Sequence, residues 1–129
     1  MQRQNISSGA PRETILGCSR AVRVGNRVHV AGMSATDERG EVVSIGDPFA
    51  QTVRALANIE WALRQAGARL RDVVHTRLYV VDIDDWRRIA EAHSTVFREI
   101  RPAATIVEVR RLTDRAMLIE IEAEAVIPE

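Results

Sequence analysis

The clearest candidate for chemistry is Glu120, in the alternating stretch "MLIEIEAEAV" near the carboxyl end of the chain. A carboxylate held at a fixed point can orient a water molecule or move a proton when other groups fix a substrate beside it. Glu122 and Glu124 follow at every second position, so the three acids share one side of a predicted strand. The same spacing suits acids at a subunit interface, and the residue types alone favour neither role for Glu120.

The other nucleophilic or titratable side chains are isolated in the sequence. Cys18 has no obvious activator, and a lone cysteine usually behaves as a small hydrophobe. His93 shares an apolar helical stripe, which favours a core or interface position over acid–base catalysis. His29 and His75 are more typical of interface partners than of catalysts. Arg20 lies near a predicted turn beside Cys18 and suits a surface or interface position better than an anion site.

Known cofactor and metal motifs are missing from the sequence. The three histidines and one cysteine are scattered, without Cys-x-x-Cys or His-Glu-x-x-His spacing, so no metal site is predicted. There is no Gly-x-Gly-x-x-Gly or Walker loop, so no nucleotide cofactor is expected. The Gly-x-Ser-x-Gly elbow of many serine hydrolases is also missing.

Bulk composition limits the possible partners. The chain of 129 residues has the usual size of one domain, and 18 basic residues balance 18 acidic ones. With only 4% aromatic residues, neither an electrostatic footprint for nucleic acid nor a base-stacking platform is predicted. No apolar run is long enough to span a bilayer, and a single cysteine fits a reducing compartment. We therefore expect a cytoplasmic protein without nucleic-acid or membrane partners.

The amino-terminal third predicts an arm and a hairpin. Residues 1–15 are polar and aperiodic, which predicts a flexible arm before one domain spanning residues 16–129. Valine-rich runs on either side of Gly25 and Asn26 predict a β-hairpin, because these residues suit its turn.

Two helices and three further strands are predicted after the hairpin. The first helix, in "DPFAQTVRALANIEWALRQAGA", can begin at Asp47 and Pro48 and end at Gly67. Its apolar stripe is Phe49, Val53, Leu56, Ile59, Leu63 and Ala66. The second helix lies in "DDWRRIAEAHSTVFREI", and the strands lie in "DVVHTRLYVVD" and at about 104–111 and 117–127. This order is typical of an α+β fold: a single mixed sheet with two helices packed on one face.

The strand patterns predict a sheet with one apolar and one charged face. The apolar face contains Val28, Val30, Val74, Leu78, Val80, Met117, Ile119, Ile121, Ala123 and Ala125. The charged face contains Arg27, His29, His75, Arg77, Glu108, Arg110 and the three glutamates, with Tyr79, Ile106 and Val126 among them. Such a face can simply meet water, but mixed acids and bases on neighbouring strands also suit a polar subunit interface. We expect an oligomer built through this face.

Three stretches together resemble one family. "LGCSRAVRVGNRVHVAG", "AQTVRALANIEWALRQAGARLRDVVHTRLYVVDIDDW" and "RPAATIVEVRRL…MLIEIEAEAV" are similar to the Rid group of reactive-intermediate deaminases, also called YjgF-like or endoribonuclease L-PSP proteins. The likeness covers about residues 15–127. It implies a chorismate-mutase-like α+β domain and a homotrimer that binds a small molecule in clefts between subunits.

The resemblance also implies roles for single residues. Family enzymes that hydrolyse imines and enamines hold the substrate carboxylate with an arginine in a Pro-Ala-Arg-Ser segment, which reads Pro-Ala-Ala-Thr here, with Ala104 and Thr105 as its last residues. Glu120 corresponds to the acid that positions water, and Gly32 to a glycine that lines the cleft. Cys18 stands where the family has a cleft tyrosine, and Ile106 replaces a residue that is often cysteine.

The departures leave more than one function open. Arg77, Arg20 or an arginine of a neighbouring subunit could bind the carboxylate in place of the missing side chain. The first hypothesis is a Rid-like hydrolase with altered substrate preference, since Ala104 and Cys18 open the pocket. The second is a non-catalytic trimer that binds a small metabolite or a protein. An endoribonuclease or translation inhibitor comes third, because neutral charge and few aromatic residues argue against RNA.

Overall fold

The computed structural model describes residues 1–129 and contains one six-stranded sheet with three helices. In chain order the elements are β1 (Arg3–Ile6), α1 (Pro11–Leu16), β2 (Ala21–Val24), β3 (Arg27–Met33), α2 (Pro48–Gln65), β4 (Val73–Val80), α3 (Trp86–Phe97), β5 (Ala103–Glu108) and β6 (Ile119–Val126). The strand order across the sheet is β1-β2-β3-β6-β4-β5. Only β4 and β5 are parallel, so the sheet is mixed and the predicted α+β fold is confirmed.

Helix α2 begins and ends where its capping residues indicate. The Asp47 side chain accepts a hydrogen bond from the Ala50 amide at 3.0 Å, and Pro48 opens the first turn. Gly67 follows the helix with φ +83°, a conformation that favours glycine. Val53 was predicted to lie on the buried stripe but is 45% exposed, because the stripe passes through fully buried Thr52 instead.

Helices α2 and α3 cover one face of the sheet and enclose the core. Leu56, Ile59 and Leu63 of α2 and Ile89 of α3 are buried against the apolar side chains of the strands. Those strand residues include Val28, Val30, Leu78, Val80, Ile119, Ile121, Ala123 and Ala125. Burial of this apolar surface is the main force that holds the helices on the sheet.

The amino terminus differs from the prediction of a flexible arm over residues 1–15. Arg3–Ile6 form the edge strand β1, which pairs antiparallel with β2, and Pro11–Leu16 form α1. Ile6 is buried in the core cluster, so the first residues are part of the domain. The strand escaped prediction because a single buried side chain gives no periodic pattern.

The predicted faces need correction on β4 and β5. Val74 is 47% exposed rather than in the core, because a bulge between Val73 and His75 shifts the register with β6. Ile106 pairs with Leu78 and packs against the core, so it lies on the helix side of the sheet and not on the charged face. Glu108 pairs with buried Val80 and accepts a hydrogen bond from the Ile83 amide, so it too leaves the charged face.

Candidate functional site

The face of the sheet that the helices leave uncovered carries rows of charged side chains. The "polar face" consists of His29, Ala31, His75, Arg77, Tyr79, Thr105, Glu120, Glu122 and Glu124. Glu124 lies between His29 and His75 in the strand register. Glu122 lies opposite Arg77, which in turn lies beside Thr105, and Glu120 lies opposite Tyr79. The register of β3, β6, β4 and β5 therefore brings residues distant in sequence onto one surface.

Glu122 and Glu124 are engaged by neighbours within the chain. The Tyr79 hydroxyl donates to Glu122 Oε1 at 2.6 Å, and Arg77 Nη1 donates to Glu124 Oε1 at 3.3 Å. His29 Nδ1 lies 3.9 Å from the same Glu124 oxygen. The hydrogen bond to Glu122 raises the pKa of Tyr79, with a further contribution from burial. These contacts hold two of the three acids in place.

Glu120 is placed differently. Its side chain lies against Gly32, where an added β-carbon would be 2.5 Å from Glu120 Oε2, and the Ser34 hydroxyl is 3.5 Å from Oε1. The six ion pairs of the chain do not include Glu120. The missing side chain of Gly32 leaves the space for this carboxylate, at the point where the register between β3 and β6 shifts between Val30 and Met33. Glu120 is thus the acid of this face that remains available to a ligand or to water.

Polar residues of α2 hold the segment beside Glu120. Asn58 Nδ2 donates to the Ser34 carbonyl at 2.9 Å and to the Thr36 carbonyl at 3.0 Å. Arg54 Nε donates to the same Thr36 carbonyl at 2.9 Å. Sequence reasoning missed Ser34 and Asn58, and no local motif marks them, because they meet only when α2 packs on the sheet.

A second cluster of polar contacts surrounds Arg20, the residue before β2. Arg20 Nη1 lies 3.4 Å from the Gly32 carbonyl, Nη2 lies 3.7 Å from Cys18 Sγ, and Nε lies 3.8 Å from Glu13 Oε2. Burial alone would raise the pKa of Glu13, but hydrogen bonds from Ser8 and Ser7 and the nearby guanidinium lower it below its usual value. Glu13 is therefore an ionised, buried partner behind Arg20.

The structure groups some of the candidate residues and separates others. Cys18 and Arg77 line one cavity of about 360 Å³ on the polar face, together with Ala31 and Glu122. Gly32 and Glu120 are in contact. Thr105 lies next to Arg77.

Ala104 and Ile106 lie on the other side of the sheet from Glu120. Ala104 pairs with Thr76 and Ile106 with Leu78, and both partners are buried beneath the helices. Because neighbouring residues in register point to the same side, Ala104 and Glu120 of one chain occupy opposite faces. They cannot line one pocket within a single subunit.

The structure shows neither a metal centre nor a membrane-spanning helix. No group of three or more His, Cys, Asp or Glu side chains converges as metal ligands would. None of the helices has the length and apolar character that crossing a membrane requires.

The protein is a small α+β domain with helices on one face of its sheet. The other face is polar and contains a cavity. A family model described as Endoribonuclease L-PSP matches residues 10–127. A RutC family protein of Pyrococcus abyssi is 44% identical over 108 residues, which cover 83% of this chain and 84% of that protein. The 3-aminoacrylate deaminase RutC of Acinetobacter baylyi is 36% identical over 105 residues, covering 81% of this chain and 82% of the relative.

Solved structures agree with the sequence relatives. The crystal structure of a YjgF/YER057c/UK114 family member from Mycobacterium tuberculosis is 46% identical, with a TM-score of 0.89. The match covers 98% of this chain and all of that one. The chain belongs to the Rid (YjgF) family, whose model carries the endoribonuclease L-PSP description.

Proposed function

We propose that the protein is a Rid-type hydrolase of imines or enamines with an altered substrate preference, acting in clefts between the subunits of a homotrimer. The observation that carries this proposal is the placement of Glu120 over Gly32, free of any ion pair and beside the Ser34 hydroxyl. The name of the 3-aminoacrylate deaminase relative supports the reaction class.

The proposed reaction needs one positioned water and one group that handles its proton. An enamine first tautomerises to the imine, as a proton leaves nitrogen and one is added to carbon. Water then adds to the carbon of the C=N bond, and a proton passes to the nitrogen as the C–O bond forms. Collapse of the resulting aminoalcohol releases ammonia and leaves a carbonyl product. Glu120 orients the water and carries the proton between oxygen and nitrogen, as a general acid–base group at hydrogen-bond distance can do.

The position of Ala104 supports a site between subunits. Because Ala104 and Glu120 of one chain lie on opposite faces, a ligand that touches both must contact two chains. The polar face, with its Glu124–Arg77 ion pair, is the surface through which we propose that the subunits meet. Sedimentation equilibrium should give three times the 14.4 kDa chain mass, and a monomer at micromolar concentration would contradict this assembly.

The altered preference follows from small side chains at two positions. Cys18 and Ala104 replace a tyrosine and an arginine of the Rid deaminases that they match. An arginine–carboxylate contact contributes about 1.5–3 kcal/mol, or roughly 10- to 150-fold in binding. We therefore expect a wider pocket and weak use of small 2-imino acids unless another cation binds the carboxylate.

An ammonia-release assay tests the function. 2-Iminobutanoate and 2-aminoacrylate are generated in situ, and the rate of ammonia release is compared with and without the protein. The wild type should accelerate release, Glu120→Gln should lose at least about 100-fold, and Glu91→Gln, an exposed acid on α3, should not differ from the wild type. Acceleration that survives Glu120→Gln would refute the role of Glu120.

The second candidate is a non-catalytic member that binds a small molecule in the same cleft. Ala104 favours it, since the arginine expected there is missing. Ligand binding by the wild type without any acceleration of ammonia release on several imines would favour this function over catalysis.

A further inference from the structure

Because residue 104 is not an arginine, the cations on the polar side of the sheet are the candidates for binding an anion. Arg20 precedes β2, and its carbonyl accepts a hydrogen bond from the Ala31 amide at 2.9 Å. This bond continues the β2–β3 ladder one step beyond the buried pair Ala21 and Val30. Since successive residues alternate between faces, Arg20 and Ala31 lie on the polar face with Glu120.

The guanidinium of Arg20 has few acceptors within the chain. Its five N–H donors meet one carbonyl, that of Gly32 at 3.4 Å, and two sulfur atoms, Met33 Sδ at 3.8 Å and Cys18 Sγ at 3.7 Å. Nε is buried and donates to no acceptor. The two outer nitrogens, Nη1 and Nη2, thus meet only one carbonyl and two weak sulfur acceptors, so they keep donor capacity for a planar anion.

Glu13 orients Arg20 without using its donors. The Glu13 oxygens accept from the Ser7 hydroxyl at 2.7 Å, the Ser8 amide at 3.0 Å and the Ser8 hydroxyl. The remaining approach to Arg20 Nε, at 3.8 Å, is an ion pair beyond hydrogen-bond distance. The acid therefore balances the charge of Arg20 at Nε and leaves Nη2 beside Cys18 and Nη1 beside Gly32.

Arg77, the other candidate, is already paired. It donates to Glu124 at 3.3 Å and lies opposite Glu122 in the register, so two carboxylates compete with any incoming anion. Arg20 instead reaches the residue on which Glu120 rests, since its Nη1 contacts the Gly32 carbonyl. Bond lengths along this path limit the distance from Arg20 Nη1 to the Glu120 carboxylate to about 10 Å.

We infer that Arg20 is the anion-binding residue of this site and takes the carboxylate of a small 2-imino, enamine or 2-oxo acid. Its outer nitrogens bind the carboxylate, and the reacting carbon then lies toward Glu120. Because Cys18 is small, the carboxylate can reach the Arg20 guanidinium. A larger side chain at residue 18 would cover it. The substrate class rests on the proposed function, but binding of the carboxylate does not require turnover.

Calorimetry with 2-oxobutanoate tests the inference. This acid is stable and is the carbonyl product expected from hydrolysis of 2-iminobutanoate. Its methyl ester serves as the neutral control ligand. Arg20→Gln should weaken 2-oxobutanoate binding by about 10- to 100-fold and leave ester binding unchanged, while Arg20→Lys should lose less. The matched control is Arg87→Gln, an exposed arginine on α3, which should bind as the wild type does.

Several outcomes would overturn the inference. These are a wild type that does not bind 2-oxobutanoate, equal loss of acid and ester binding in Arg20→Gln, or a loss confined to Arg77→Gln. If Arg20→Gln does not fold, a crystal structure of the wild type with 2-oxobutanoate decides, and a carboxylate away from the Arg20 nitrogens refutes the assignment.

The two proposals fail in distinguishable ways. Carboxylate binding through Arg20 without ammonia release refutes the deaminase function and supports the binding site. Ammonia release with a KM that Arg20→Gln does not change refutes the binding site and leaves the deaminase function standing.

Discussion

The Glu120 side chain fills the space where residue 32 would carry a side chain, so residue 32 must be a glycine for this arrangement to form. A β-carbon on Gly32 would lie 2.5 Å from Glu120 Oε2 and 2.8 Å from its Cγ, closer than non-bonded atoms approach. The constraint is steric, because Gly32 has no left-handed backbone conformation to explain it. The glycine therefore fixes where the carboxylate can rest.

Gly32→Ala should displace Glu120 at little cost to folding, because the atoms that must move belong to a flexible side chain. We expect ammonia release to fall by about 10-fold or more and the free energy of unfolding to change by less than about 1 kcal/mol. Rate assays and urea unfolding measure the two effects. In a Glu120→Gln background the same substitution should lower the rate no further, and an additive loss would show that Gly32 acts elsewhere.

The Tyr79–Glu122 hydrogen bond should be visible by titration, because Tyr79 is the single tyrosine of the chain. Its raised pKa means that the folded protein retains the phenolic proton above pH 10, so this bond contributes stability below that pH. That stability is lost as the pH rises through the folded pKa. Glu122→Gln should move the phenolate absorbance transition to lower pH, and an unchanged transition would contradict the assignment.

His93 should make the fold sensitive to acid. It is packed on Phe97 with a ring separation of 4.6 Å and lies 3.0 Å from the Thr76 hydroxyl, and burial lowers its pKa. As the pH falls, His93 of the unfolded chain therefore binds a proton before His93 of the folded protein does. Stability falls as the pH drops below about 6.5 and stops falling once the pH is below the pKa of the folded state.

His93→Gln keeps a polar partner for Thr76 and removes the titration. Urea unfolding at pH 7.5 and at pH 5.5 should show a smaller loss of stability for this variant than for the wild type. Equal losses in the two proteins would show that other groups cause the acid sensitivity.

Gln51 should be essential for holding two loops on the core. Its fully buried side chain donates to the Val43 and Ala116 carbonyls at 3.3 and 2.9 Å and accepts from the Leu118 amide at 2.8 Å. Gln51→Ala leaves these groups without partners and should cost about 2–4 kcal/mol of unfolding free energy.

Gln65→Ala, at an exposed position of the same helix, is the control for Gln51→Ala and should change stability by less than about 0.5 kcal/mol. Denaturant unfolding compares the two variants. A small effect at Gln51 would mean that water replaces the lost bonds.

Much of the fold could be predicted because local patterns were strong. The alternation from Met117 to Ala125 placed β6 and its buried side, and Asp47, Pro48 and Gly67 marked the ends of α2. Predictions failed where the pattern was short or interrupted. Strand β1 has one buried residue, and a bulge turned Val74 outward.

The candidate site could be predicted only in part. Glu120 was singled out by its strand pattern and by family resemblance, and Gly32 by resemblance alone. The partners that fix the site come from distant segments: Ser34 beside Glu120, Asn58 of α2, and Glu13 behind Arg20. No spacing in the sequence relates these residues, because their contacts depend on how the elements pack.

The sequence by itself determined the family, the order of elements from the hairpin onward and the apolar sides of β3 and β6, since these depend on local propensity and on the periodicity of side chains along helices and strands. Tertiary structure alone decided which charged residues meet. The register of β6 against β4 places Glu122 and Glu124 diagonally across from Tyr79 and Arg77, which hydrogen-bond to them, while Glu120 lies against Gly32 of β3. A shift of one residue moves every side chain of a strand to the other face, so the chemistry of this surface is set by pairing between strands.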